Sequence, residues 1–232
     1  MVSRPSLILA FALAFTFFIV APPFLGSPFG AYPSMHWADV LDLITPLVLI
    51  PLYWLLFSDS GRIRRGLPLV LAFLVLAALW IEGQGMHLSA NSISNLFGTG
   101  ATAVHSLIHF YDEVLSHYLW HAGIIGLSIV LALAPLEGGL VLAPMKWPVL
   151  SVSAILYGFT YFAAVDEGGT VPMGLPAAIL ILVALLLARR RQLRSHNLVA
   201  FFFLGYCVAV LLFAVWFVMT GGFPEPSALG WF

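Results

Sequence analysis

The sequence predicts an all-α integral membrane protein, a bundle of about seven transmembrane helices. Hydrophobic residues make up 62% of its 232 residues and charged residues only 8%, whereas soluble domains carry about 25% charged residues. Seven apolar runs approach the roughly 20 residues that a helix needs to span a bilayer. They cover about Ser6–Leu25, Trp37–Phe57, Leu67–Gly85, Asp112–Ala134, Trp147–Ala164, Pro172–Ala188 and Asn197–Thr220.

The first apolar run resembles a secretory signal peptide, because Arg4 precedes it. It is long for such a peptide, however, and the sequence Ala21-Pro22-Pro23 is a poor cleavage site. We therefore predict a retained first helix. No repeat and no long linker divides the chain, so we predict a single membrane domain, 1–232, whose first partner is the lipid bilayer.

Basic residues lie on one side of the predicted bundle only. By the positive-inside rule that side is cytoplasmic, which places the N-terminus inside and the C-terminus outside. We expect a bacterial-type inner (cytoplasmic) membrane. The formal net charge of −1 provides no basic patch for nucleic acid. The nine basic residues are Arg4, Arg62, Arg64, Arg65, Lys146, Arg189, Arg190, Arg191 and Arg194.

Acidic residues and histidines show the opposite distribution. Eight acids and six histidines fall on the outer side or in the outer half of the spans, where no Lys or Arg is present to neutralise them. Such groups can share protons or a metal cation. The single cysteine, Cys207, excludes a disulfide framework and a cysteine-based zinc site. The outer groups are His36, Asp39, Asp42, Glu82, His87, His105, His109, Asp112, Glu113, His117, His121, Asp166, Glu167 and Glu225.

The densest cluster of these groups lies at the start of the fourth span. His117 and His121 are four residues apart, so a helix presents both imidazoles on one face, and Glu113 extends that face by one turn. The helix length places both histidines within the hydrocarbon, where ionisable groups are costly and commonly functional. Asp112 projects from another face, as a base or an orienting group. The alternative is a pair of neutral histidines hydrogen-bonded between helices.

A second cluster lies at the outer end of the third span. If the helix continues through Gly83 and Gly85, then His87 and Asn91 share a face. A loosened turn at these glycines would also bring Glu82 towards His87, because glycine permits unusual backbone angles. In the alternative interpretation, Glu82 marks the membrane interface and His87 is a solvated loop residue.

Other polar residues are expected to line the outer mouth of the site, or simply to face water. The segment Ser92–Ala103 is rich in Ser, Asn, Gly and Thr and predicts an outer loop. A turn is predicted between the fifth and sixth spans, where two acids precede a Gly-Gly pair. The mouth candidates are Asn91, His105, His109, Asp166 and Glu167.

These patterns predict a metal-dependent membrane enzyme with its site on the non-cytoplasmic side, such as a hydrolase that acts on a lipid or another apolar substrate. Nitrogen and oxygen ligands without cysteine favour zinc first and iron second. Three histidines would leave zinc an open position for water, whereas two ligating glutamates would suit a two-iron site. Asp112 is the predicted catalytic residue. The predicted metal ligands are Glu82, His87, Glu113, His117 and His121.

The chain resembles a superfamily of seven-span membrane hydrolases that includes the alkaline ceramidases and the progestin/adiponectin receptors. The resemblance implies zinc held by three histidines, assisted by an Asp and a Ser, and cleavage of lipid amides. His87 would correspond to the histidine on an early helix and Asp112 to the Asp that follows it. His117 and His121 would correspond to the spaced histidine pair.

The chain departs from that superfamily at two positions. The superfamily carries its histidine pair on the last helix, whereas Asn197–Thr220 contains no histidine, and Gly83 stands where the superfamily has its Ser. Two other functions remain open. One is a proton-coupled transporter, although the cytoplasmic halves of the spans read as apolar, and the other is a structural or cofactor-binding subunit of a membrane complex.

Overall fold

A computed structural model describes residues 4–59, 66–97, 103–134 and 147–230, and nearly all of these residues are helical. In these ranges a π-helical segment, Phe110–Leu115, joins the fourth helix directly to the fifth, and β1 (Pro28–Phe29) pairs with β2 (Tyr32–His36) in an antiparallel hairpin. The α-helices are α1 (Arg4–Val20), α2 (Trp37–Asp59), α3 (Leu67–Phe97), α4 (Ala103–His109), α5 (Ser116–Leu133), α6 (Trp147–Glu167), α7 (Val171–Arg189) and α8 (Asn197–Thr220).

Within the described ranges, six helical stretches are long and apolar enough to cross a membrane, with α4, the π-helical segment and α5 counting as one. This finding agrees with the expected multi-pass helical membrane protein. The apolar part of α1, Leu7–Val20, is shorter than a full span. The seventh span and the orientation of the termini therefore remain predictions.

Helices α3 and α5 cross closely, because glycines allow the two backbones to approach. A Cβ atom on Gly83 would lie 2.6 Å from the backbone nitrogen of Trp120, and one on Gly123 would lie 2.8 Å from the carbonyl oxygen of Leu76. Small residues permit this approach in membrane helices. The loosened turn predicted at Gly83 and Gly85 is wrong, because α3 stays α-helical through both.

The third helix also extends further than predicted. We expected it to end at Gly85 and a loop to cover Ser92–Ala103, but residues 92–97 continue α3, and 98–102 lie outside the described residues. Tertiary hydrogen bonds accompany the extension, since Asn95 donates to the carbonyl oxygen of Ser34 at 3.2 Å. The polar composition therefore marks a helix that projects from the apolar core rather than a loop.

Asp39 ties this extension to the start of α2. It is fully buried, and its carboxylate accepts the backbone N–H of His36 at 2.6 Å and the side-chain amide of Asn91 at 2.7 Å. The hairpin, α2 and α3 are thereby held together at one end of the bundle. Asp42 lies one turn along α2, so this contact also sets its position relative to His87.

A buried hydroxyl cluster lies about two turns deeper than His121, where the sequence was expected to be apolar. Ser128 donates to the carbonyl oxygen of Ile124 at 2.9 Å, so it accepts from Tyr53 at 3.2 Å and from Tyr157 at 2.8 Å. The hydroxyls of Tyr157 and Tyr206 are 3.2 Å apart. The cluster links α2, α5, α6 and α8 through satisfied hydrogen bonds.

Arg189 closes the opposite end of the bundle. Its Nη2 atom donates to the carbonyl oxygens of Leu133 at 2.7 Å and Ala134 at 2.8 Å, at the C-terminus of α5. These carbonyls have no partner within their own helix, and a cation there also interacts favourably with the helix dipole. Of the predicted cytoplasmic basic residues, 62, 64, 65 and 146 lie outside the described residues.

Candidate functional site

A partly open cavity of about 510 Å³ lies at the end of the bundle opposite Arg189. Its polar wall carries four carboxylates and three imidazoles, and its other wall is apolar. No Lys or Arg is among the described residues that line it. The lining residues used below are Ile19, Val20, Asp42, Gln84, His87, His109, Glu113, His117, Phe159, Ala163, Glu167, Gly168 and Glu225.

His87 is held between two acidic residues. Its Nδ1 atom lies 2.8 Å from Oδ1 of Asp112, and its Nε2 atom lies 3.8 Å from Oδ2 of Asp42. Asp42 also accepts a hydrogen bond from Gln84 at 3.0 Å, and Gln84 accepts one from the indole N–H of Trp80 at 3.1 Å. The backbone carbonyl oxygen of Asp112, which can only accept a hydrogen bond, lies 3.3 Å from Nδ1 of His87, so this atom carries a proton and the ring is fixed in orientation.

The side chains of Asp112 and Glu113, both in the π-helical segment, point in different directions. Asp112 is 5% exposed and faces His87, whereas Glu113 is exposed and lines the cavity, with Oε2 3.9 Å from Nδ1 of His117. A π-helical turn contains more residues than an α-helical turn, and such segments are common at functional sites. The regular i+4 succession expected from His109 to His117 is therefore interrupted here.

His117 and His121 are both buried, and both imidazoles contact the turn between α6 and α7. Nδ1 of His117 lies 3.2 Å from the carbonyl oxygen of Gly168, which can only accept a hydrogen bond. Nδ1 of His121 lies 2.6 Å from Oγ1 of Thr170, which itself donates to the carbonyl oxygen of Val165 at 3.3 Å. Both Nδ1 atoms must therefore carry the proton.

Gly168 makes this arrangement possible. A Cβ atom there would lie 2.7 Å from Cε1 of His121 and 3.2 Å from Nδ1 of His117. The next residue, Gly169, has φ +61°, which only glycine adopts readily. The Gly-Gly pair was expected to form an ordinary turn, but the backbone at Gly168 packs against the imidazoles of His117 and His121, two of the predicted ligands.

The three histidines share one hydrogen-bonding pattern. Each Nδ1 atom faces an acceptor. Nε2 of His87 lies 3.8 Å from the carboxylate of Asp42, whereas Nε2 of His121 is buried with no hydrogen-bond partner among the described residues. Ring centroids of His87 and His117 are 5.0 Å apart, and those of His117 and His121 are 6.0 Å apart. Imidazoles around one tetrahedral zinc ion would have centroids about 5 Å apart.

The candidate ligands nevertheless do not form a complete metal site in this conformation. Among the residues described, no three His, Cys, Asp or Glu side chains converge in a way that could hold a metal ion. The separation of the His87 and His117 rings is close to the value expected around one zinc ion, and the separation of the His117 and His121 rings is larger, so the three imidazoles share no metal position here. Metal binding would therefore require rotation of the imidazoles.

Several predicted site residues lie elsewhere. Glu82 is exposed on α3, about 200° around the helix from Gln84, and does not line the cavity. Asn91 bonds to Asp39 instead of lining the mouth, and His105 is half-buried away from the cavity wall. Asp166 is fully buried, and neither of its oxygens has a hydrogen-bond partner among the described residues. The structure therefore does not support Glu82 as a ligand.

Asp42, Gln84, Thr170 and Glu225 belong to the site, although they were not among the predicted site residues. Asp42 and Glu225 were recognised only as members of the outer acidic group, and this charge asymmetry is the signal that could have identified them. Partial burial, with Glu167 nearby, raises the pKa of the Glu225 carboxyl. Gln84 and Thr170 carry no comparable signal, because their roles depend on which helices pack together.

The fold and the site together define a multi-pass helical membrane protein with an acidic, histidine-lined cavity near one end of its bundle. Comparisons of the chain with models of known protein families, with curated proteins and with solved structures found no match. The resemblance to the seven-span membrane hydrolases therefore remains a hypothesis based on a few residues.

Proposed function

We propose that this chain is a metal-dependent membrane enzyme in which His87, His117 and His121 bind one divalent cation through their Nε2 atoms. The observation that carries the proposal is the shared hydrogen-bonding pattern of the three imidazoles. Histidines that bind metals typically donate their other ring N–H to a carboxylate or a carbonyl group, which fixes the tautomer and the ring orientation. Asp112, Gly168 and Thr170 supply the three acceptors.

Zinc is the favoured metal, with iron second. Imidazole nitrogen suits both metals, but a two-iron site would need additional carboxylate ligands, and Glu82 lies outside the cavity. The three histidines would hold zinc with one position open, and zinc bound there would supply Lewis-acid chemistry and a water with a pKa of about 7. This chemistry supports hydrolysis as the reaction.

The two acids of the π-helical segment have different roles in this proposal. Glu113 lines the cavity close to His117, where it can accept a proton from a reacting group. Asp112 is buried and contacts His87 without lining the cavity. Asp112 is thus a positioning residue, the orienting one of its two predicted roles, and Glu113 takes the role of base.

The shape of the cavity supports an apolar or lipid-like substrate. Ile19 and Val20 of α1 with Phe159 and Ala163 of α6 form the apolar part of its lining, alongside the polar groups. Such a cavity accepts a molecule that has both a hydrocarbon part and a polar group. The distribution of Lys and Arg supports a position for the cavity in the non-cytoplasmic half of a bacterial-type inner membrane.

Elemental analysis of detergent-purified protein tests the proposal. We expect about one equivalent of zinc or iron per chain, and loss of that metal in His117→Gln and His121→Gln. The matched control is His196→Gln, at the N-terminus of α8 and the opposite end of the bundle. A metal-free protein that does not take up added Zn²⁺ or Fe²⁺, with native helical content and a single gel-filtration peak, would overturn the proposal.

A further inference from the structure

The cavity carries a strong excess of negative charge. Asp42, Glu113, Glu167 and Glu225 line it, and no described Lys or Arg does. One divalent cation would neutralise only half of four carboxylates. An anionic head group such as phosphate would therefore be repelled, whereas a positively charged group would be attracted.

Two of these carboxylates lie together at one side of the cavity. Glu167 ends α6 and accepts the backbone N–H of Ser227 at 3.0 Å, which holds the segment after α8 against this turn. Glu225 belongs to that segment, and a Cβ atom on Gly169 would lie 3.5 Å from its Oε1 atom. Both carboxylates therefore lie against the same turn.

Asp166 provides an independent observation at this turn. Its side chain is fully buried, and neither carboxyl oxygen has a hydrogen-bond partner in the described part of the chain. A buried carboxyl group without a partner is costly. Asp166 directly precedes Glu167 behind the cavity wall, so acidic side chains without a basic partner among the described residues lie on both sides of this turn.

We propose that the substrate of this cavity is an amphiphile with a positively charged amine head group. The ammonium lies between Glu167 and Glu225, and the hydrocarbon chain lies along Ile19, Val20 and Phe159. Acidic and apolar side chains line the same cavity, which favours an amphiphile over a soluble amine. This inference rests on the function proposed above, since it names the substrate class of the same site.

Photolabelling in zwitterionic nanodiscs tests the inference. Three probes with the same diazirine-bearing alkyl chain end in a primary amine, an alcohol or a carboxylate. Labelling of the cavity wall at Phe159 is measured by mass spectrometry relative to Leu187, which is 82% exposed and faces the lipid. We expect the amine probe to give the highest ratio and the carboxylate probe the lowest.

A double variant and a matched control test whether Glu167 and Glu225 cause the preference for the amine probe. Replacement of both carboxylates, Glu167→Gln with Glu225→Gln, should lower the ratio for the amine probe by about three- to tenfold, as expected for the loss of two partly exposed ion pairs. Glu82→Gln is the matched control, because it removes an exposed acid outside the cavity. Excess ethanolamine should compete weakly, since it lacks the hydrocarbon chain.

Equal labelling by the three probes, or an unchanged ratio in the double variant, would overturn the inference. If millimolar Ca²⁺ abolished labelling by the amine probe, the cavity would bind an inorganic cation instead. If ethanolamine abolished that labelling, the cavity would bind a soluble amine. Either result would overturn the inference. The His117→Gln variant separates this result from the metal proposal. The amine preference should persist there, so either proposal can fail without the other.

Discussion

At the residue scale, Thr170 shows how a side chain with no metal-binding role can determine the state of a histidine. Its hydroxyl proton is directed at the carbonyl oxygen of Val165, so the oxygen accepts from Nδ1 of His121. This leaves Nε2 of His121 as a buried lone pair. Gly168 acts in the same way on His117, through its carbonyl oxygen and its lack of a side chain.

The first prediction concerns Gly168→Ala. Because the new methyl group would lie 2.7 Å from the ring of His121, the ring must move, and we expect metal affinity to fall about ten- to a hundredfold. Competition with a fluorescent zinc chelator measures this change. Gly222→Ala is the control, since a Cβ atom there meets nothing within 4 Å. Equal affinities in the two variants would contradict the prediction.

At the scale of elements, the contact between α3 and α5 decides which polar groups meet. His87 is on α3, His117 and His121 are on α5, and the π-helical segment before α5 turns Asp112 towards His87. The distance between the two helices is set by Gly83 and Gly123. A wider crossing would separate the ring of His87 from that of His117.

The second prediction compares two glycines of α3. A Cβ atom on Gly83 would meet backbone atoms of α5, so Gly83→Ala should destabilise the fold by about 1–3 kcal/mol. Gly85→Ala meets open space and gains up to about 1 kcal/mol of helix propensity. Thermal unfolding in detergent, followed by tryptophan fluorescence, measures both. Similar melting temperatures for the two variants would refute this account of the crossing.

At the scale of the whole molecule, the two ends of the bundle differ in charge. The cavity end carries carboxylates and histidines, and the end with Arg189 carries the described basic residues that follow α7. By the positive-inside rule, this asymmetry predicts that the end with Arg189 lies on the cytoplasmic side. The cavity would then open towards the outer leaflet.

The third prediction tests this orientation. In a Cys207→Ser background, Ser227→Cys places a thiol beside the cavity and Ser195→Cys places one at the opposite end, and both positions are exposed. A membrane-impermeant maleimide should label the first variant in intact cells and the second only after permeabilisation. The reverse pattern would invert the topology and place the cavity on the cytoplasmic side.

Much of the fold was predictable from the sequence. Apolar runs gave helices in the right order, and the last one, Asn197–Thr220, was predicted with the observed bounds. The prediction was wrong where polar residues continue a helix, as in residues 92–97, because hydrogen bonds from Asn91 and Asn95 stabilise α3 beyond the apolar core. The hairpin between α1 and α2 carried no recognised pattern.

The sequence by itself determined a multi-pass helical membrane protein whose acids and histidines are separated from its basic residues, because bilayer thickness limits which residues can span it. Only the tertiary structure decided which of those acids meet the histidines. Neighbours in sequence point in different directions on a helix, so Glu82 faces outward while Gln84 reaches Asp42. Helix packing brought Asp42, Gly168, Thr170 and Glu225 to the cavity and its histidines, and no local sequence pattern predicts which helices pack together.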